Sequence, residues 1–179
     1  MKSRWRVFNL FLVFAAALLL ASCATSEERK HKKEYSNIRV HVESDRTGDR
    51  SSAVTVFRSN PMRINVEGEP VLDEHDVVSA SVVDEPSGTF SIQVKLNRHG
   101  TWTLERVTVM HRGKHLVIFT YFGQARWLAA PEITGKNSTG MLTFTPDATR
   151  EEAERIVRGL NNVAKKLEQK ESWPSSPDR

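Results

Sequence analysis

The sequence contains one cysteine, Cys23. A lone thiol can form neither an intrachain disulfide nor a thiolate metal site, so any domain here is held together by its core. Long apolar runs are also missing. The longest, residues 8–20, is broken only by Asn9 and falls short of the about 20 residues that span a bilayer comfortably. There is no P-loop, no G-x-S-x-G elbow, no Rossmann glycine set and no H-E-x-x-H pair. The histidines His31, His41, His75, His99, His111 and His115 are scattered, and they read as surface or turn residues. His111 and His115 are four apart, but Gly113 lies between them and no carboxylate completes a zinc motif. Asp73, Glu74 and Asp76 surround His75 without the ligand spacing of a calcium loop; they read as a solvated turn. Ser87 and Ser138 sit in loops, with no histidine and acid that sequence can link to them. Repeats and low-complexity segments are absent. These absences lead to an expectation of no catalytic set, no metal, no cofactor and no enzyme activity.

What is present begins at the N-terminus. Lys2, Arg4 and Arg6 precede the apolar run, which ends in Leu20-Ala21-Ser22-Cys23. A short positive segment, an apolar segment and small residues before a cleavage point have the layout of a secretory signal. The stretch resembles the lipobox of bacterial lipoproteins. The resemblance implies cleavage between Ser22 and Cys23, diacylglycerol on the Cys23 sulfur and a third acyl chain on the new amino group. One myristoyl chain holds a protein only marginally, and each buried CH₂ adds about 0.8 kcal/mol, so two or three chains would make the attachment effectively permanent. Ala24 stands where many such lipoproteins retained at the inner membrane have aspartate, so the expected location is the outer membrane, facing the periplasm.

The domain organisation follows. Residues 1–22 are the signal peptide, 23–35 the lipidated cysteine and a tether, 36–170 a domain, and 171–179 a disordered tail. Losing Lys2, Arg4 and Arg6 takes the 26 Lys and Arg to 23, against 22 Asp and Glu. A near-neutral chain without a concentrated basic face argues against nucleic acid as a partner. Arg29-Lys30-His31-Lys32-Lys33, flanked by Glu27, Glu28 and Glu34, reads as part of a solvated tether. A flexible segment of twelve residues spans roughly 20 Å. Nothing in the sequence reports the oligomeric state.

Within the domain, Ile38, Val40 and Val42 alternate with Arg39, His41 and Glu43, the pattern of a strand with one buried face. Residues 46–52 form a polar loop, and residues 54–58 and 62–66 read as strands. Pro61 between them cannot donate to a ladder, which marks a sheet edge or bulge. Residues 77–83 and 90–96 form a hairpin through Glu85-Pro86-Ser87-Gly88. Trp102, Leu104, Val107 and Met110 suggest one face of a short helix stopped by Gly113. Residues 115–121 are almost continuously apolar, as in a strand buried on both faces. Strands at 126–130 and 141–144 follow. Thr149 and Glu152 form a capping box ahead of a stripe of Ala153, Ile156, Val157, Leu160, Val163, Ala164 and Leu167. Trp102 and Trp127 are expected in the core. The order of elements gives an α+β domain: a mostly antiparallel sheet with two helices packed on one face.

A second resemblance rests on Gly100 before the helix, Gly113-Lys114 after it, the apolar strand 116–119, Ala130-Pro131-Glu132-Ile133, the glycine loop to Gly140, Phe144-Thr145, and Glu151-Glu152-Ala153 leading to Arg158-Gly159-Leu160. In this order they resemble the head subdomain of the first periplasmic domain of SecD/SecDF, the protein-export subunit. The resemblance implies the fold, and contact with unfolded polypeptide at a membrane surface. It does not imply a motor, because the export subunit carries transmembrane helices with charged residues for proton coupling and this sequence shows none. The turn around Phe122 and Gln124 is also longer here. The expected function is a lipid-anchored binding or assembly module of the envelope, with an envelope protein or extended polypeptide as partner. A structural envelope-linking lipoprotein and a hydrolase with an unrecognised site are the alternatives. Phe57, Met62 and Trp127 are the candidate polypeptide-binding residues, because apolar side chains beside an open strand edge could hold alternate residues of a guest strand.

Overall fold

The computed structural model describes residues 30–45 and 51–171. The chain divides into two compact units, residues 1–33 and 34–179, and the fold described here is that of the second. Ser22, Cys23, Trp173 and most of the polar loop at 46–52 lie outside the described residues.

The described strands are β1 (Asn37–Val42), β2 (Ser51–Val56), β3 (Met62–Glu67), β4 (Val77–Asp84), β5 (Phe90–Leu96), β6 (Leu116–Tyr121), β7 (Ala125–Ala129) and β8 (Met141–Phe144). Helix α1 (Arg98–Met110) lies between β5 and β6, and α2 (Arg150–Glu171) follows β8. Every strand pairing is antiparallel. The strands form three sheets, in the orders β1-β6-β7, β2-β3 and β4-β5-β8. The architecture is α+β, as the order of elements implies.

Helix α2 starts where its capping box places it. Thr149 N–H donates to Glu152 Oε2 at 2.9 Å, and Glu152 N–H donates to Thr149 Oγ1 at 3.2 Å. Its stripe buries Ala153, Ile156, Val157, Leu160, Val163 and Ala164. The main core joins Ile156 and Leu160 to Val40 of β1, Ile92 and Val94 of β5, Leu104 of α1 and Leu142 of β8.

The sheet β1-β6-β7 is covered on both faces, which accounts for the apolar run in β6. Val40, Leu116, Ile118 and Leu128 belong to the main core. Val117 and Ala130 belong to a second, smaller cluster with Val56, Ile64 and Val66 of the β2-β3 ribbon. The ribbon continues from β1: Glu43 bridges to Val66, and Ser44 N–H donates to Asn65 O at 2.8 Å. Pro61 stands in the turn just before β3.

Two expectations are corrected. His41 is buried rather than on a solvent face, because the ribbon folds over that side of β1. Its Nδ1 lies 2.8 Å from Glu67 O of β3. Helix α1 does not bury Trp102 and Met110, which are 58% and 69% exposed. Its buried face is Gly100, Thr103, Leu104, Val107 and Thr108. Two features make this rotation favourable. Thr108 Oγ1 donates to Leu104 O at 2.7 Å, so its hydroxyl is satisfied inside. At Gly100 a Cβ would lie 2.9 Å from Asp76 Cβ, so only glycine allows the first turn to approach that closely.

Candidate functional site

A sheet can accept an added strand only where its edge is unpaired, so the edges locate the site. At β4, Asn161 of α2 imitates a neighbouring strand: its Oδ1 accepts from Ala80 N–H at 2.8 Å and its Nδ2 donates to Ala80 O at 2.9 Å. At β1, Val40 N–H donates to Leu72 O and Val71 N–H to Val40 O. At β7, Leu128 O accepts from Asp147 N–H at 2.7 Å. At β8, Met141 N–H donates to Thr139 Oγ1 and Met141 O accepts from Asn137 Nδ2. Among the described residues that leaves the backbone of Thr143 without a partner on that side.

β2 differs. Because Asn65 O points to Ser44, Asn65 turns its backbone groups away from β2. Antiparallel alternation then pairs Val54 with Ile64 and Val56 with Met62 through hydrogen bonds, in the observed register. Ala53 and Thr55 present their N–H and C=O groups outward. Both are exposed, and no backbone group among the described residues pairs with them.

This edge faces β7 across an open seam. A depression of ≈ 430 Å³ there is lined by Thr55, Phe57, Pro61, Ala125 and Trp127. Phe57 and Asp147 also line a second depression of ≈ 530 Å³ with Asn60, Ala130 and Thr145. Trp127 also lines a third, of ≈ 230 Å³, with Arg39, His41 and Phe119. The seam is therefore a chain of shallow apolar hollows beside an unpaired edge.

Its side chains are held firmly. The Trp127 ring meets Phe119 edge-on at 5.2 Å and His41 at 5.3 Å. Phe57 adopts φ +65°, a left-handed conformation that a bulky side chain adopts only under outside constraint. The constraint comes from the next residue. Arg58 N–H donates to Asp147 Oδ2 at 2.8 Å, and its Nε donates to the same oxygen at 3.2 Å. The Arg58 guanidinium also lies 3.7 Å from Glu152, which accepts from Arg126 at 2.9 Å. Burial pushes the Glu152 carboxyl up, but the Thr149 N–H and the Arg126 guanidinium outweigh it and hold the group below the usual carboxylate range. Two arginines and two carboxylates balance, leaving the end of the seam without a strong charge preference.

Phe57, Met62 and Trp127 are all brought together: each is half-buried against the ribbon cluster. Phe57 and Trp127 line the seam, whereas Met62 packs on the cluster without lining these hollows. Sequence reasoning missed His41, Phe119, Arg58 and Asp147. Phe119 had a signal, as an aromatic within the apolar run 115–121; Arg58 and Asp147 are 89 residues apart and had none.

The acidic turn has a structural role. Asp73 Oδ1 accepts from His75 N–H at 2.8 Å, and Asp76 Oδ1 lies 2.7 Å from His99 Nδ1. Among the described residues no group of three or more His, Cys, Asp or Glu is placed to hold a metal. No described helix is long and apolar enough to cross a membrane.

No protein-family model and no curated protein matches the chain. Solved structures do. The chain is similar to SecDF, described as a membrane component that enhances protein export, with a TM-score of 0.56 and 16% identity, covering 77% of this chain and 67% of that one. It is similar to SecDF in a super-membrane-facing form with a TM-score of 0.55 and 16% identity, covering 77% of this chain and 20% of that one. The compact unit thus carries a SecDF-like fold, in agreement with the resemblance from Gly100 onward, and it spans only a fifth of the longer SecDF chain.

Proposed function

We propose that the compact unit binds extended or unfolded polypeptide by strand addition at the outer edge of β2, as a non-enzymatic module held at the envelope by lipid on Cys23. The carrying observation is the outward N–H and C=O groups of Ala53 and Thr55, with Thr55 lining the hollow shared by Phe57 and Trp127. Main-chain bonds to such an edge give affinity with little regard for sequence, and side-chain hollows add preference for alternate residues. The SecDF-like fold and the role in protein export described for SecDF support a client that is extended rather than folded. Shallow hollows and a short edge favour weak binding, in the micromolar range or weaker. The expected tether, residues 23–35, is shortened to residues 23–33 in this reading because Glu34 belongs to the compact unit, with the outer membrane as the attachment surface.

Titrating residues 34–171 with a reduced, unfolded protein and with extended peptides, followed by amide NMR, tests the binding. Shifts concentrated at Ala53, Thr55, Phe57 and Trp127 are expected; no shifts at millimolar peptide would refute it. The anchor is tested separately. Cys23→Ala should abolish metabolic labelling with palmitate and leave the precursor uncleaved, and labelling at wild-type level would rule out the lipid.

A further inference from the structure

Helix α1 presents a face that the strand-addition reading does not use. Trp102, Val109 and Met110 are 58%, 58% and 69% exposed, the highest values among the large apolar residues described. At about 100° per residue, Arg98, Val109, Trp102, Arg106, His99 and Met110 fall within an arc of about 120°. No acidic residue lies in that arc. Arg98 and Arg106 are both exposed, as is Arg112 just past the helix end. The Arg98 guanidinium sits 4.5 Å from the Trp102 ring centre. Glu105, at the margin, is engaged by Lys136 at 2.5 Å, so it does not offset the arginines.

We propose that this face of α1 docks in the plane of an anionic lipid surface. An exposed tryptophan with a valine and a methionine between arginines is the composition of an interfacial helix: the apolar side chains enter the headgroup boundary while the cations meet lipid phosphates. Trp102 suits that boundary, having an apolar body and one polar N–H. Charge complementarity selects the occupant. An apolar protein groove would cover Trp102 and Val109 but would have to pair or desolvate the arginines around them, whereas an anionic bilayer accepts both classes at once. Docking fixes which way the domain faces, independently of whether the β2 edge binds a strand.

The test uses the full chain reconstituted into vesicles, so that the N-terminus is held in every sample. Trp5, Trp127 and Trp173 are replaced by Phe, leaving Trp102 as reporter, and folding is checked by thermal melting. Vesicles carry brominated phosphatidylcholine with or without phosphatidylglycerol. Trp102 fluorescence should be quenched with phosphatidylglycerol and recover in its absence or at high salt. Each arginine near an anionic surface is worth roughly a fivefold preference, so Arg98→Gln/Arg106→Gln/Arg112→Gln should weaken docking on the order of 100-fold and leave Trp102 unquenched. The lipid comparison needs no arginine substitution, so it decides the matter even if the triple variant folds poorly. Equal quenching with and without phosphatidylglycerol, or none in either, would overturn the proposal. So would a photocrosslinker at Val109 that captures a protein while Trp102 stays unquenched.

Discussion

At Gly159 the spacing between α2 and the start of β1 is set by a missing side chain. A Cβ there would lie 2.6 Å from the backbone nitrogen of Ser36 and 2.3 Å from its Oγ. Backbone cannot step aside as a flexible side chain can. Gly159→Ala should therefore destabilise by about 1–3 kcal/mol through overpacking, although alanine is the better helix former by about 1 kcal/mol. Urea denaturation measures this, and equal or greater stability would mean that helix and strand are not in such close contact. His41 sets a second residue-scale expectation. Burial lowers its pKa; the carbonyl of Glu67 opposes that, the charge of Arg39 adds to it and that of Glu69 opposes it. The folded state thus binds the proton less readily than the unfolded chain, whose histidines titrate near about 6.5. Stability from this group is complete above that value and is lost as pH falls through the lower folded pKa. His41→Gln keeps a donor for Glu67 O but does not titrate. Its stability should fall less than the wild type's between about pH 7 and pH 5, and parallel curves would refute the assignment.

Among the elements, Asn161 shows how an exposed edge is closed without a strand. Its amide makes both bonds that a neighbouring strand would make to Ala80, on a strand that also exposes Val78 and Val83. Asn161→Ala should cost about 1–3 kcal/mol for the unsatisfied groups and should promote self-association through the opened β4 edge. Sedimentation velocity reads the second effect; a variant that stays as monodisperse as wild type would mean that the helix backbone alone guards β4. Much of this layer was legible. The alternation in β1, β3 and β5, the unbroken run in β6 and the Thr149–Glu152 box each depend on local periodicity, which sequence displays. The start of α1 was not legible, because Gly100 in its first turn reads as a break until the close approach to Asp76 is known. Trp102 and Met110 misled for a related reason: Thr103 and Thr108 take the inner face, the hydroxyl of Thr108 being satisfied by the helix backbone. The candidate site was half legible. Phe57 and Trp127 stood out as aromatics on strands, but which groups of β2 face outward depends on the pairing of Ser44 with Asn65, and the seam beside them on the Arg58–Asp147 pair. No local pattern encodes those long-range contacts.

For the molecule as a whole, two cores of unequal size share one sheet. Among the described residues the ribbon cluster has five buried members, against twenty-three in the main core. Beyond that cluster, the contacts among the described residues that join the ribbon to the rest include the Glu43–Val66 bridge, the Ser44–Asn65 bond, the His41–Glu67 contact and the pairing of Arg58 with Asp147 and Glu152. Helix α2, by contrast, contributes to the main core along with β1, β4, β5, β6 and β8. Regions with few buried apolar contacts open at free energies below that of global unfolding, so the β2-β3 ribbon should be able to lift while the main core stays folded. Such an opening would widen the seam at the edge proposed to receive a guest strand. Native-state amide exchange can measure it. The amides of Val54, Val56 and Ile64 should exchange at least about 100-fold faster than those of Val94 and Leu160, a gap of about 2.8 kcal/mol. Their exchange should depend little on denaturant, because a local opening exposes little surface. Saturating peptide should slow the ribbon amides and leave Val94 and Leu160 unchanged. If the ribbon amides instead exchange together with the main core, the ribbon is a fixed wall, and a guest strand must fit the seam as it stands.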